Sequence, residues 1–290
     1  MTSALPPSVH EPAAPFGAPV PRLIATDLDG TLLRSDKTVS ARTVAALAAA
    51  EEAGIEVYFV TGRPARWMDV VSAFTARHGV AICANGAAVV DLHRDELIEV
   101  RPITTDDAVA VVRALRAELP DVAFAIEDAA GFNYEPGYPL PEAWPTPDSR
   151  VGDAEELLAG STEPVLKLLA RHQSIDPDRF LALGRRMAGD RAEFTRSSPF
   201  PLLEISARGV SKATTLARHC VQRGIDPSEV VAFGDMPNDL AMLTWAGTSY
   251  AVANAHPEVL AATTHRAAAN DEDGVASVIE AILERLGHLP

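Results

Sequence analysis

The run Leu23-Ile24-Ala25-Thr26-Asp27-Leu28-Asp29-Gly30-Thr31-Leu32-Leu33 closes a short apolar stretch with two aspartates, a glycine and a threonine. It reads as a buried strand that delivers carboxylates to its own C-terminal edge. Strand side chains alternate, so Asp27 and Asp29 leave the backbone on the same side, close enough to share one cation or one substrate. Such a pair can act as nucleophile and general acid/base, the second group protonating a leaving oxygen and then deprotonating a water. It can equally be half of a Mg²⁺ site, and taken alone it is also what an Asp-Gly turn after an ordinary strand looks like.

Further strand ends carry candidate chemistry. The apolar run Ile55 to Val60 ends in Thr61-Gly62-Arg63-Pro64, and Val230 to Phe233 ends in Gly234-Asp235-Met236-Pro237-Asn238-Asp239. Pro64 and Pro237 each suit the first turn of a helix. In open α/β sheets ligands bind at the carboxyl edge of the strands, where all of these residues fall. By themselves Thr61-Gly62 and Asp235 also fit helix caps, and Arg63 reads as a solvated side chain. Gly209-Val210-Ser211-Lys212 opens a helix running through Leu216 and Cys220 to Gly224. A lysine in the first turn opposes the helix dipole, which is tolerated if an anion sits beside it; a solvated lysine is the alternative.

In order and spacing, these stretches resemble the four motifs of the haloacid dehalogenase superfamily of phosphotransferases. Ala213 stands where a glycine is common after the third-motif lysine, a departure that touches packing rather than charge. The resemblance covers about residues 22–288. It implies Mg²⁺ held by the carboxylates of Asp27 and Asp235 and the backbone carbonyl of Asp29, with Asp239 completing the acidic set by holding waters or Lys212. It further implies Asp27 as nucleophile, Asp29 as acid and base, and Thr61, the Gly62 amide and Lys212 on the phosphoryl oxygens, with Asn238 on a phosphate oxygen.

The elements that must position these residues follow from periodicity and breakers. A helix from Ser40 to Gly54, a strand from Ile55, a helix after Pro64 carrying Trp67, Val70, Val71 and Phe74, and a strand from Val80 to Ala84 alternate as in a parallel sheet with helices on both faces. Asn85-Gly86 is a turn, and beyond it the texture changes to α+β. Helices are expected near 105–119 and 177–188, and strands near 122–126, 165–170, 191–196 and 201–206, with a loop over 131–147 holding Tyr134, Tyr138 and Trp144. Those aromatics either line a pocket or pin the loop to the surface. An insertion at this place resembles the C2B cap of the Cof-type subgroup. The expected fold is therefore α/β, a Rossmann-like parallel-sheet core of residues 22–86 and 207–288 with an inserted α+β C2B-type cap over 87–206. Core texture returns at Leu202-Leu203-Glu204-Ile205-Ser206, the final segment adds a strand from Ser249 to Ala253 and a helix from about His256, and the acidic loop Asn270-Asp271-Glu272-Asp273 reads as a solvated helix cap.

A net charge of −15 across 290 residues speaks against partners such as nucleic acid or acidic lipid, so a phosphate pocket must be a local positive focus. Cys83 and Cys220 offer neither a disulfide framework nor zinc spacing, which fits a reducing, cytoplasmic setting. The first 21 residues, broken by Pro6, Pro7, Pro12, Pro15, Pro19 and Pro21, read as a disordered tail, neither signal peptide nor membrane anchor.

Carboxylates converging on one sheet edge repel unless a cation neutralises them, and Mg²⁺ suits an all-oxygen set. The expected function is a Mg²⁺-dependent phosphatase working through an aspartyl-phosphate on a small phosphorylated metabolite, a sugar phosphate or a phosphorylated cofactor or precursor. A phosphosugar mutase would use the same residues. A receiver-like phospho-acceptor domain also places acids and a lysine at a sheet edge, but the long insertion between Thr61 and Lys212 and the second aspartate argue against it. The leaving group and the oligomeric state stay open at this point.

Overall fold

The computed structural model describes residues 19–72, 79–140, 148–263 and 265–288. Phe74, Trp144 and the expected disordered tail, apart from its last three residues, lie outside the described residues.

In chain order the elements are β1 (Leu23–Thr26), α1 (Ala41–Glu52), β2 (Glu56–Val60), α2 (Asp69–Ser72), β3 (Val80–Cys83), β4 (Ala88–Asp91), β5 (Glu96–Val100), α3 (Thr105–Glu118), β6 (Ala123–Asp128) and β7 (Phe132–Tyr134). There follow α4 (Ala154–Ala159), β8 (Val165–Arg171), α5 (Pro177–Ala188), β9 (Ala192–Thr195), β10 (Leu202–Ala207), α6 (Lys212–Arg223), β11 (Val230–Gly234), α7 (Leu240–Trp245), β12 (Thr248–Val252), α8 (Pro257–Ala262), β13 (His265–Ala267) and α9 (Gly274–Arg285).

Local chemistry sets the helix ends. Ser40 caps α1 by accepting from the Thr43 N–H, and Gly54 turns the chain out at φ +81°. Ser211 and Thr214 form a reciprocal capping box on α6, which Gly224 closes in the left-handed region at φ 61°. The helix expected after Pro64 is a single 3₁₀ turn, Ala65–Trp67, followed by the short α2.

The main sheet has eight strands in the order β13-β12-β11-β1-β2-β3-β4-β5. β13 through β3 run parallel, while β4 and β5 are antiparallel additions. The expected boundary at residues 86/87 therefore falls inside this sheet. Asn85 at φ 55° and Gly86 at φ 107° fold the chain so tightly that Ala88 pairs back on Cys83. The second sheet begins only beyond Val100.

That second sheet is antiparallel, in the order β7-β6-β8-β10-β9. One face packs Phe124, Leu168, Leu203 and Ile205 against Val111, Leu115 and Phe180 of α3 and α5. The other face carries Ala125, Glu127, Lys167, Leu169 and Glu204, by the strand alternation, and looks toward the carboxyl edge of the main sheet. β7 and α4 were not foreseen, since short segments with weak periodicity owe their form to what they pack on.

The acidic loop differs from its expectation as well. Asn270 is buried and donates to the Leu33 carbonyl at 2.9 Å, Asp271 accepts from Ser35 N–H and Oγ at 2.8 and 2.6 Å, and Asp273 accepts from Arg34 Nη2 at 2.9 Å. Rather than a solvated cap, it is a brace on the turn that follows Asp29.

Candidate active site

β1 lies between β2 and β11 in parallel register, Thr26 opposite Phe59 on one side and Phe233 on the other. The strand ends therefore emerge together: Asp27 level with Val60 and Gly234, and, one step further on, Thr61 and Asp235. The Asp27 N–H donates to the Phe233 carbonyl at 3.0 Å, which continues the ladder to the first carboxylate. Gly30 follows at φ +81°, and a Cβ there would lie 2.3 Å from Asp235 Oδ2, so only glycine lets the turn close over that oxygen.

α6 brings Lys212 beneath this edge. Its Nζ donates to Asp27 Oδ1 at 2.5 Å and to Asp239 Oδ1 at 2.7 Å, with all three side chains buried. This is the anion that excuses a lysine at a helix N-terminus. Asp239 Oδ2 accepts from the N–H groups of Asp235 and Met236 at 3.1 and 3.0 Å, so both of its oxygens are occupied in holding Lys212 and the Asp235 loop.

Three buried carboxylates thus face one buried ammonium. Burial pushes Asp27 well above the ordinary carboxylate range, with Lys212 opposing and Asp239 and Asp235 adding to the rise. Burial and then Asp239 push Asp235 up to about 7, against the pull of Lys212 and a hydrogen bond from Thr31. For Lys212, burial works to lower the pKa, but the carboxylates of Asp239 and Asp27 outweigh it and the group is held above its usual value. Oxygens of Asp27, Asp235 and Asp239 lie within 4.8 Å of one another. A hard divalent cation with oxygen ligands fits this donor set, and its charge answers the excess of carboxylates.

Asp29 takes a different environment from Asp27. Arg63 Nε and Nη2 meet its two oxygens at 2.5 and 2.7 Å, and Lys37 Nζ adds a contact at 2.8 Å. Burial raises the Asp29 pKa, but these hydrogen bonds and charges prevail and hold it below the ordinary value. The expectation of a solvated Arg63 is corrected: its side chain is only 15% exposed and is committed to Asp29.

Asp27, Asp29, Thr61, Gly62, Asp235 and Asn238 line one cavity of about 450 Å³, while Lys212 and Asp239 lie beneath it. The Arg63 N–H donates to Thr61 Oγ1 at 3.1 Å, and Asn238 Nδ2 donates to Asn85 Oδ1 at 3.2 Å. The roof is the open face of the second sheet, with Phe132, Tyr138, Leu169 and Leu202 forming an apolar patch and Arg171 lying over Phe200 at 5.5 Å. Nearer the main sheet the roof is charged, with Glu127 taking Arg66 at 2.8 Å and Lys167 pairing with Glu204 at 3.1 Å.

Sequence reasoning missed Lys37, Asn85, Lys167 and Glu204. A signal existed for the last two: each is the lone charge inside an apolar strand, Val165-Leu166-Lys167-Leu168-Leu169 and Leu202-Leu203-Glu204-Ile205, and a charge on a buried strand needs a partner.

With this geometry in view, comparison with known proteins defines the class. The family model of haloacid dehalogenase-like hydrolases matches residues 24–279, and the chain belongs to that family, in its Cof-type branch. Pyridoxal phosphate phosphatase YbhA of Escherichia coli (strain K12) is 30% identical over 268 residues, covering 89% of this chain and 97% of the relative. The 5-amino-6-(5-phospho-D-ribitylamino)uracil phosphatase YitU of Bacillus subtilis (strain 168) is 29% identical over 274 residues, covering 90% and 97%. A crystal structure from Streptococcus mutans UA159 superimposes with a TM-score of 0.79 at 23% identity, covering 91% of this chain and 99% of that one, a likeness of fold. The chain is accordingly an enzyme of the phosphatase kind. Among the described residues no helix is long and apolar enough to cross a membrane.

Proposed function

We propose that this chain is a Mg²⁺-dependent phosphatase of small phosphorylated metabolites, acting through an aspartyl-phosphate on Asp27. The observation that carries the reading is the buried contact of Asp27 with Lys212 at 2.5 Å, at the floor of a cavity between the two sheets and beside a second carboxylate, Asp235. The carboxylates of Asp27 and Asp235 and the Asp29 carbonyl would hold the cation, and Asp239 keeps Lys212 in place. When bound, the cation neutralises charge on the phosphoryl oxygens and on the carboxylates around it.

The remaining steps belong to side chains. Lys212 orients the Asp27 carboxylate, whose oxygen attacks phosphorus in line and displaces the alcohol. Thr61 Oγ1, the Gly62 amide, Lys212 and Asn238 face the phosphoryl oxygens, where preorganised donors act most strongly in a water-poor site. Asp29, which Arg63 and Lys37 hold toward its ionised form here, takes up a proton before the first step and passes it to the departing oxygen, then takes one from the water that attacks the aspartyl-phosphate and frees inorganic phosphate.

The residues between the two stretches of main sheet act as a cap that selects the leaving group. Its apolar, aromatic patch suits a leaving group with a flat apolar body better than a bare polyol, since hydroxyls buried there find few free partners. That supports phosphorylated cofactors and their precursors, the kind of substrate named for the Escherichia coli and Bacillus subtilis relatives. The balance of charge and the two lone cysteines support a cytoplasmic setting. A screen of phosphorylated metabolites with Mg²⁺ tests the reading; free phosphate is expected from cofactor phosphates, and isomerised hexose phosphate without phosphate release would favour a mutase.

A further inference from the structure

Two loops form the phosphoryl end of the cavity, Thr61 to Arg63 after β2 and Asp235 to Asn238 after β11. A chain of hydrogen bonds reaching down from the second sheet ties them together. Lys167 Nζ donates to the Gly62 carbonyl at 2.7 Å and to Glu204 Oε1 at 3.1 Å. Glu204 Oε2 accepts from Asn85 Nδ2 at 3.0 Å, and Asn85 Oδ1 accepts from Asn238 Nδ2 at 3.2 Å. Asn85, held at φ 55°, also donates its backbone N–H to the Thr61 carbonyl at 3.0 Å. Lys167, Glu204 and Asn85 are all buried.

A buried ion pair adds little net stability over apolar residues of the same size, so this one is better explained by what it positions. The Gly62–Arg63 peptide is fixed at both ends: its carbonyl accepts from Lys167, and its N–H donates to Thr61 Oγ1 at 3.1 Å. With a lone pair of the Thr61 hydroxyl engaged in that way, its own proton is left to point into the cavity. Asn238, at the far end of the chain, has its Oδ1 buried without a partner and its Nδ2 held by Asn85. The same network therefore sets the Thr61 hydroxyl on one side of the place where a phosphoryl group would sit and, by taking one of the two Nδ2 hydrogens, fixes the Asn238 amide on the other.

We propose that Lys167 and Glu204, carried by the second sheet, are positioning residues that complete the phosphate cradle of Thr61, Gly62 and Asn238, so that the cradle is fully formed only when that sheet is seated on the main one. This rests on the phosphatase reading above and adds to it a cap contribution to phosphoryl binding, separate from any grip on the leaving group.

The test uses the full chain with Mg²⁺ and three variants. Lys167→Met and the neutralised pair Lys167→Met/Glu204→Gln remove the network, the second without leaving an unpaired buried carboxylate. Arg196→Met removes a different contact between the sheets, the 3.1 Å approach of Arg196 Nη2 to His256 Nε2. Affinity for inorganic phosphate, which has no leaving group, is measured by calorimetry, and kcat and KM are measured for two esters with unlike leaving groups. In both Lys167 variants phosphate affinity should fall by roughly tenfold to a hundredfold and kcat should fall by a similar factor for both esters, with the ratio of their KM values unchanged. Arg196→Met should stay within about threefold of the parent in phosphate affinity, because its hydrogen-bond partners are Asp178, the Ser198 carbonyl and His256, none of them in the two phosphate loops. A folded double variant that binds phosphate as the parent does would overturn the positioning role, as would an equal loss in Arg196→Met, which would assign the effect to seating of the sheet alone. Failure of the parent to turn over any ester would instead overturn the phosphatase reading, and the phosphate affinities would still decide the role of Lys167.

Discussion

Arg63 grips Asp29 at both carboxylate oxygens, Nε to Oδ2 at 2.5 Å and Nη2 to Oδ1 at 2.7 Å, across the ends of the neighbouring strands β1 and β2. A two-point guanidinium pair fixes the plane of the carboxylate as well as its charge. If that plane aims the proton at the leaving oxygen, Arg63→Met should harm esters in proportion to their need for a proton. The loss in kcat/KM should be about tenfold to a hundredfold for an alkyl phosphate and clearly smaller for a nitrophenyl phosphate. Leaving-group dependence across an ester series reads this directly; a uniform loss would place Arg63 on the phosphoryl group instead.

Asp27 and Asp29 should fail differently. Asp27→Asn removes the nucleophile and should abolish turnover for every ester. Asp29→Asn should still release nitrophenol in a first turnover and then stall, because the water that attacks the aspartyl-phosphate lacks its base. Rapid-mixing kinetics decides between them: a burst from Asp27→Asn, or none from folded Asp29→Asn, would mean that the roles are assigned wrongly.

Oxygens of Asp27, Asp235 and Asp239 lie close enough for one cation to sit among them, so a cation dependence is expected. Excess chelator should remove activity and Mg²⁺ should restore it, while Ca²⁺, with looser and higher coordination, should restore it poorly. Mg²⁺ should also raise the melting temperature, since it binds the folded site and relieves repulsion there. Full activity in chelator would sink the metal assignment.

Backbone constraints give a test read in stability rather than in turnover. At Gly86, with φ 107°, a Cβ would lie 2.4 Å from the Ser211 carbonyl oxygen, so Gly86→Ala must displace the start of α6. A loss of about 2–4 kcal/mol is expected in denaturant unfolding. Gly54, at φ 81°, has open space around it, and Gly54→Ala should lose only about 1–2 kcal/mol, the left-handed backbone alone.

How much of this was legible before folding depends on whether the information is local. The strand ends at Asp27, Thr61 and Asp235, the cap at Ser211 and the stop at Gly224 are set by period, breakers and short-range hydrogen bonds, so those positions could be read from neighbours in the chain. Parallel pairing then brings strand ends to one edge whatever lies between them. What an isolated strand pattern could not show is a partner supplied from far away. The boundary at 86/87 failed because the turn at Asn85-Gly86 reverses the chain into a hairpin that stays on the main sheet, a choice made by available edge pairing rather than by local texture. Arg63 looked free because its carboxylate lies 34 positions earlier, and Lys167 and Glu204 drew no notice because Gly62 and Asn85 lie more than a hundred positions away. The residue types that chemistry needs were determined by the sequence itself; which carboxylate is paired, which is buried and raised, and which cap residue reaches the phosphate loop were decided by tertiary packing, because burial and charge pairing exist only between surfaces the fold brings together.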